Sequence, residues 1–177
     1  MSLRAVILSE SVTQLKMRKR QQDILKHRAK FTELYPTVAA KHQFAGGRRQ
    51  QTYIQMHASM RPALHSGKKR CTRRTWGPSK QQVQERAFLN KALVAVTGQG
   101  HCSTIGYVLY SSMSTSTVGT VLTPADLDAE GGTATSDAEF RARWYKTMGT
   151  GSDPSVMLPD ATPVHVLTFK FYSIVSQ

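Results

Sequence analysis

The sequence is short of cysteine, of long apolar runs and, over its first half, of acids, and each shortage closes off a class of function. Cys71 and Cys102 are the two cysteines. Neither stands in a CxxC pair or near a histidine at ligand spacing, so no zinc site or disulfide framework is expected and a reducing compartment fits. The longest aliphatic run, Ala92-Leu93-Val94-Ala95-Val96, falls far short of the roughly 20 residues that span a bilayer, so no integral membrane protein is expected. Nucleotide-binding motifs are missing too. Gly98-Gln99-Gly100 followed by Ser103 begins like GxGxxG, but the strand-like Thr104 to Val108 follows and supplies no helix amino terminus for a pyrophosphate. Asp126, Asp128 and Glu130 recur at two-residue spacing, yet the glycine and distal glutamate of an EF-hand are absent, so this reads as a solvated acidic loop open to a basic neighbour.

What is present is positive charge, unevenly placed. Of 24 Lys and Arg residues, residues 1–80 hold 18 against three acids, Glu10, Asp23 and Glu33, while residues 81–177 hold six against eight acids. The formal net charge of +13 therefore belongs to one half, which argues for a basic arm over 1–80 and a near-neutral folded body over 81–177. The arm centres on Gly67 to Pro78, where Lys68, Lys69, Arg70, Arg73 and Arg74 crowd into seven positions before Trp76. Like charges this close repel one another, so the segment is expected to be solvated or laid along a polyanion. Arginines suit bidentate phosphate contacts and Trp76 offers a π-face to a base or a guanidinium; its structural alternative is to anchor the start of the body.

Ser11 to Tyr35 carries Val12, Leu15, Ile24, Phe31 and Leu34 mostly at helical spacing, with Pro36 as a stop, and Arg18, Lys19 and Arg20 among seven bases on the remaining circumference. Thr37 to Ala45 reads as two helical turns ended by Gly46-Gly47, and Arg48-Arg49 reopen the basic surface. Tyr53, Met56 and Met60 suggest a further helix over 50–60, closed by Pro62.

The body opens with a helix capped by Ser79 and Gln82. Short strands are expected over Ala92–Thr97, Thr104–Tyr110 and Thr117–Leu122, with the Ser111–Ser116 tract as a loop. Ser136 to Glu139 forms a capping box for a helix through Phe140, Trp144 and Tyr145, and Val164–Val175 alternates as the clearest strand. The expected class is α+β: a helical basic arm, then a small body with a mostly antiparallel sheet of about four strands and one or two helices.

A long basic extension on a small globular body resembles, in type, lineage-specific mitochondrial ribosomal proteins, and Met1 to Ser9 is basic, apolar and serine-bearing like a presequence. The resemblance implies an architectural, non-enzymatic rRNA-binding subunit of a mitochondrial ribosome, or of a cytoplasmic or nuclear ribonucleoprotein, with neighbouring proteins of the assembly as further partners. The RNA contacts expected are Arg18, Lys19, Arg20, Arg48, Arg49, Lys68, Lys69, Arg70, Arg73, Arg74 and Trp76. No cofactor, metal, membrane or small-molecule substrate is expected. Two other classes stand as alternatives: a viral capsid or nucleocapsid protein with a basic arm, and a cysteine enzyme pairing Cys102 with His101 or His165 and Asp160.

Overall fold

The alternation of Val164, Leu167 and Phe169 with polar residues does form a strand, β5 (Pro163–Ser173), and the sheet is built outward from it. A computed structural model describes residues 12–46, 52–98, 103–148 and 158–175. β4 (Thr104–Thr117) runs antiparallel to β5 along nearly its whole length, with a bulge between Tyr110 and Ser112. On its other side β4 pairs antiparallel with β3 (Leu93–Gly98), every residue of which is buried. The edges come from earlier in the chain: β1 (Tyr53–Met56) lies parallel to β3, and β2 (Cys71–Arg74) lies antiparallel to β5. The order is β1-β3-β4-β5-β2, an α+β fold on a mixed five-stranded sheet rather than four mostly antiparallel strands.

The outer face is covered by α1 (Val12–Leu34) and α2 (Pro36–Lys41). Ile24 and Phe31, seven residues apart and so on one helix face, are buried against Leu93, Ala95, Tyr107 and Ile174. The Phe31 ring lies 4.8 Å from Tyr107 and 5.6 Å from Phe44, both edge-on; each such side chain contributes about 1.5–3 kcal/mol on burial. Pro36 begins α2 as well as ending α1, because proline's missing N–H costs nothing in a first turn. The inner face gathers Ile54, Met56, Leu64, Val94, Val96, Val108, Leu167 and Phe169 under α3 (Arg61–His65) and α4 (Pro78–Leu89). α4 is locked on by Gln84, which accepts from the Tyr110 hydroxyl at 2.7 Å and donates to Tyr53 O at 3.2 Å. α5 (Pro124–Ala129) and α6 (Asp137–Met148) fill the connection from β4 to β5.

Several expectations are corrected. The helix expected over 50–60 is β1, then a 3-10 turn (Ala58–Met60), and Pro62 opens α3 instead of closing a helix. Ile54 and Met56 point inward while Tyr53 and Gln55 stay half-exposed, a period of two that four residues are too few to distinguish from a helical one. The Ser111–Ser116 tract is strand, not loop: its hydroxyl-bearing side chains stand mostly outward while the backbone pairs with Pro163–Thr168. Of the strand expected over Thr117–Leu122, only Thr117 is in the sheet, as the end of β4, and residues 118–122 leave it. The described residues between 12 and 80 form no free arm, since they supply α1, α2 and both edge strands, and the division placed at residue 80 cuts across one continuous sheet. The five strands among the described residues also do not make the eight-stranded jelly roll that the capsid alternative called for. Residues 1–9, Arg48, Arg49, His101 and Cys102 lie outside the described residues.

Candidate ligand pocket at the seam of the sheet

The sheet curls until its two edges meet. Arg74 Nη2, on β2, donates to Gln55 O, on β1, at 2.6 Å and touches Met56 Sδ at 3.3 Å. A side chain thus bridges the edges where a backbone ladder would close a barrel. Beside this seam opens a cavity of about 630 Å³, solvent-filled mouth included, whose lining includes Met56 and His57 from the β1 edge, Lys69 and Thr72 to Arg74 from the β2 edge, Glu130, and Phe140, Arg143 and Trp144 of α6.

Glu130 organises the wall. It follows the short helix α5, whose start is fixed by a capping box in which Thr123 and Asp126 satisfy each other's backbone N–H groups. The chain then pairs with the β2 edge through a Lys69–Glu130 bridge and an Arg70 N to Ala129 O bond of 2.8 Å. Lys69 Nζ donates to Glu130 Oε2 at 2.7 Å, Cys71 O at 2.8 Å and Glu130 O at 3.0 Å, so a lysine only 5% exposed has all three N–H bonds answered. The other carboxylate oxygen, Oε1, accepts from Arg73 Nη1 at 2.8 Å, and Arg73 Nη2 reaches Asp126 at 3.2 Å. Hydrogen bonds from Thr123, helped by Arg73, hold the Asp126 carboxyl below its ordinary range. Burial pulls the Arg74 guanidinium below its ordinary value, with Glu130 acting the other way.

α6 closes the far side. Trp144 Nε1 donates to Arg73 O at 3.2 Å, and Arg143 is held by Thr133 O and Glu139. The capping box expected at Ser136–Glu139 is half realised: Ser136 Oγ accepts from Glu139 N at 3.2 Å, while the Glu139 carboxylate turns back to Thr135 N at 2.7 Å.

The candidate contacts therefore scatter. Lys69, Arg73 and Arg74 converge on the pocket, and Lys69 and Arg73 face carboxylates rather than solvent. Burial of Lys69, Cys71 and Thr72 overturns the picture of a fully solvated basic run. Arg70 pairs with Asp128 on the surface at 2.7 Å, Lys68 is exposed in the preceding turn, and Arg18 and Lys19 are exposed on α1. Arg20 is half-buried against Tyr53. Trp76 stacks on His165, ring centroids 5.8 Å apart, and packs on the inner core. His165 is buried on β5, and Cys71, the described cysteine, has its thiol pushed up to about 12, first by burial and then by Glu130, which makes it a poor nucleophile. Among the described residues no three His, Cys, Asp or Glu side chains group to hold a metal ion.

Sequence reasoning missed Glu130, Thr72 and Trp144. The available signal was charge complementarity: the acidic 126–130 segment and the basic 69–73 segment each lack local partners and answer one another.

No protein-family model matches the chain, and no curated protein matches it in sequence. Among solved structures, it is similar to an ASCH domain from Lactobacillus crispatus JV V101, at 12% identity and a TM-score of 0.52, over 87% of this chain and 94% of that one. It is also similar to a DUF984 protein from Enterococcus faecalis V583, at 13% identity and a TM-score of 0.51, over 82% of this chain and 89% of that one. These shares are too large for residues 81–177 alone. They overturn the expectation of a ribosomal constituent threading an arm along rRNA, because the supposed arm is part of the shared fold, and at this identity the likeness is one of fold: the chain folds as an ASCH domain and a DUF984 protein do.

Proposed function

We propose that the protein is an RNA-binding module that takes one unpaired base of a single strand into the seam pocket. The observation that carries this reading is the Glu130-centred ion cluster on the wall of an open cavity. A buried ion cluster stabilises a fold little compared with apolar side chains of the same size, so its presence at a cavity points to recognition. The cavity's polar groups suit the edge of a planar heterocycle: the hydroxyls of Thr72 and Thr133, the spare lone pairs of Glu130, and the guanidiniums of Arg74 and Arg143. Trp144, Phe140 and His57 offer faces for stacking. The net charge of +13 adds general attraction for a polyanion.

Fluorescence anisotropy with short labelled single-stranded RNA tests the reading. Trp144→Ala should weaken binding by roughly 1–3 kcal/mol, the usual loss of one base–aromatic stack. A folded Trp144→Ala protein, checked by its melting curve, that binds like the parent would refute base capture in this pocket.

A second reading rests on Thr72, 4% exposed, whose hydroxyl-bearing side chain shares the wall with Lys69 and Glu130, the residue types of a threonine-nucleophile hydrolase. As arranged, Lys69 donates all three N–H bonds and holds no lone pair for the Thr72 proton. The wall is thus better made for holding a ligand than for cleaving one. Turnover of a nucleobase amide that disappears in Thr72→Ala, with binding retained, would reverse that order.

A further inference from the structure

Away from the Glu130 wall, two cations converge on one tyrosine of β1. The Arg20 guanidinium carbon lies 4.9 Å from the Tyr53 ring centroid and Lys80 Nζ lies 5.0 Å from it, so the two charges are within about 10 Å of each other. Arg20 Nη1 also donates to the Tyr53 hydroxyl at 2.9 Å. Lys80 stands in the first turn of α4, whose N-cap Gly77 has no side chain to cap it, so the positive end of the helix dipole adds to the field. Arg74 completes the group from the seam, two residues along β1, where it holds Gln55 O. Burial, then the charges of Arg74 and Arg20, pull the Lys80 ammonium below its ordinary value.

Glu130 acts on Arg74, but Arg20 and Lys80 are without an ion-pair partner among the described residues. Among the described residues no carboxylate comes within 4 Å of Arg20 or Lys80, and the Lys80 ammonium donates to no protein atom. Asp23, one turn along α1 from Arg20, is committed to Thr104 N at 2.5 Å and to His27. Glu85 on α4 is engaged by Gln81. In the 69–73 run acids answer the clustered cations; here like charges are held together by packing on Tyr53, an arrangement that an incoming anion relieves.

We propose that Arg20, Tyr53 and Lys80 form a phosphate site for the RNA backbone, separate from the base pocket and joined to it through Arg74. Arg74 lines the pocket and stands beside Lys80, so a strand with one base in the seam passes its neighbouring phosphate over Tyr53. Arg20 supplies planar donors and Lys80 a mobile point charge. The inference rests on the RNA reading for its ligand, while its residues take no part in the Glu130 wall.

The experiment is a salt series on the full chain with labelled single-stranded RNA. Log affinity falls with log salt at about −0.7 per phosphate contact, so Lys80→Gln and Arg20→Gln should each flatten the slope by about 0.7 and the double variant by about 1.4. Lys41→Gln, an exposed cation on α2, should leave the slope unchanged, and Trp144→Ala should lower affinity at constant slope. An unaltered slope in folded Lys80→Gln protein, or equal flattening by Lys41→Gln, overturns the phosphate site. If Trp144→Ala binds normally while Lys80→Gln flattens the slope, the base pocket falls and the phosphate site stands; the opposite pair of results reverses that. Absence of RNA binding by the parent chain removes both.

Discussion

Residues 16–30 and 68–76 carry dense runs of cations, and the fold treats them in opposite ways. On α1, Lys16, Lys19, Lys26 and Lys30 stay exposed, and Asp23, the acid among them, is turned toward Thr104 and His27. In the second run Lys69 is buried and Arg73 is 12% exposed, because Asp126, Asp128 and Glu130 arrive from some sixty residues downstream to meet them. Density of charge is similar in the two runs, and what differs is the supply of carboxylates. A lysine can enter a protein interior when every N–H and the charge itself find a partner, and Lys69 has three acceptors, one of them ionised. No carboxylate draws Lys19, Lys26 or Lys30 inward among the described residues, and these α1 lysines remain on the surface.

Cutting between the two halves of the chain is the harshest way to break the comparison. A protein of residues 81–177 loses both edge strands along with Ile54, Met56, Leu64 and Cys71 from the interior, and should show no cooperative thermal transition by circular dichroism. A parent-like melt would return residues 68–76 to the status of an appended arm. Next in size, Glu130→Ala strands the Lys69 charge in the interior and should destabilise by about 3–5 kcal/mol in denaturant titration. Adding Lys69→Met to Glu130→Leu should recover most of that loss, since the buried ammonium leaves with its partner while Arg73 keeps Asp126; failure to recover would mean that the 124–134 segment is held by something other than the Lys69–Glu130 pair.

On the exposed side, Lys19→Gln and Lys26→Gln should each change stability by no more than about 0.5 kcal/mol, and a larger loss would place them in the packing rather than on the surface. The smallest effect concerns acid. Asp126 has its folded-state value held below the ordinary one, first by Thr123 and further by Arg73, so its contribution is fully present above the unfolded carboxylate range near pH 4 and fades as pH falls through the lower folded value. Melting temperatures between pH 6 and 3 should therefore drop less steeply in Asp126→Asn than in the parent, by a margin kept small because the group is 40% exposed.

Long elements were legible in the sequence because their periodicity had room to repeat. α1, α6 and β5 fall within one or two residues of where the spacing puts them, α6 ending at Met148 for an expected end near Gly149. β1 and β2 were not, for a physical reason: Tyr-Ile-Gln-Met and Cys-Thr-Arg-Arg are strands because β3 and β5 hold them, and four residues of local propensity say little. The pocket was illegible for a related reason, since Lys69 and Glu130 become a pair only once the chain has returned to the β2 edge. The basic half of the wall is visible in residues 69–74 and the acidic half in 126–130, but no local spacing joins them.

The position of β5 between β4 and β2 sets an order on the birth of this protein. β2 leaves the ribosome with Arg74, yet its ladder partner begins only at Pro163, so residues 75–162 must be made while the β2 backbone has nothing to pair with. During that interval the strand most exposed to wrong partners is the one carrying Arg73 and Arg74, directly after Lys68, Lys69 and Arg70, and like-charge repulsion between nascent copies discourages edge-to-edge association. The same cations that later meet Glu130 and Gln55 thus act first as guards on an unfinished edge.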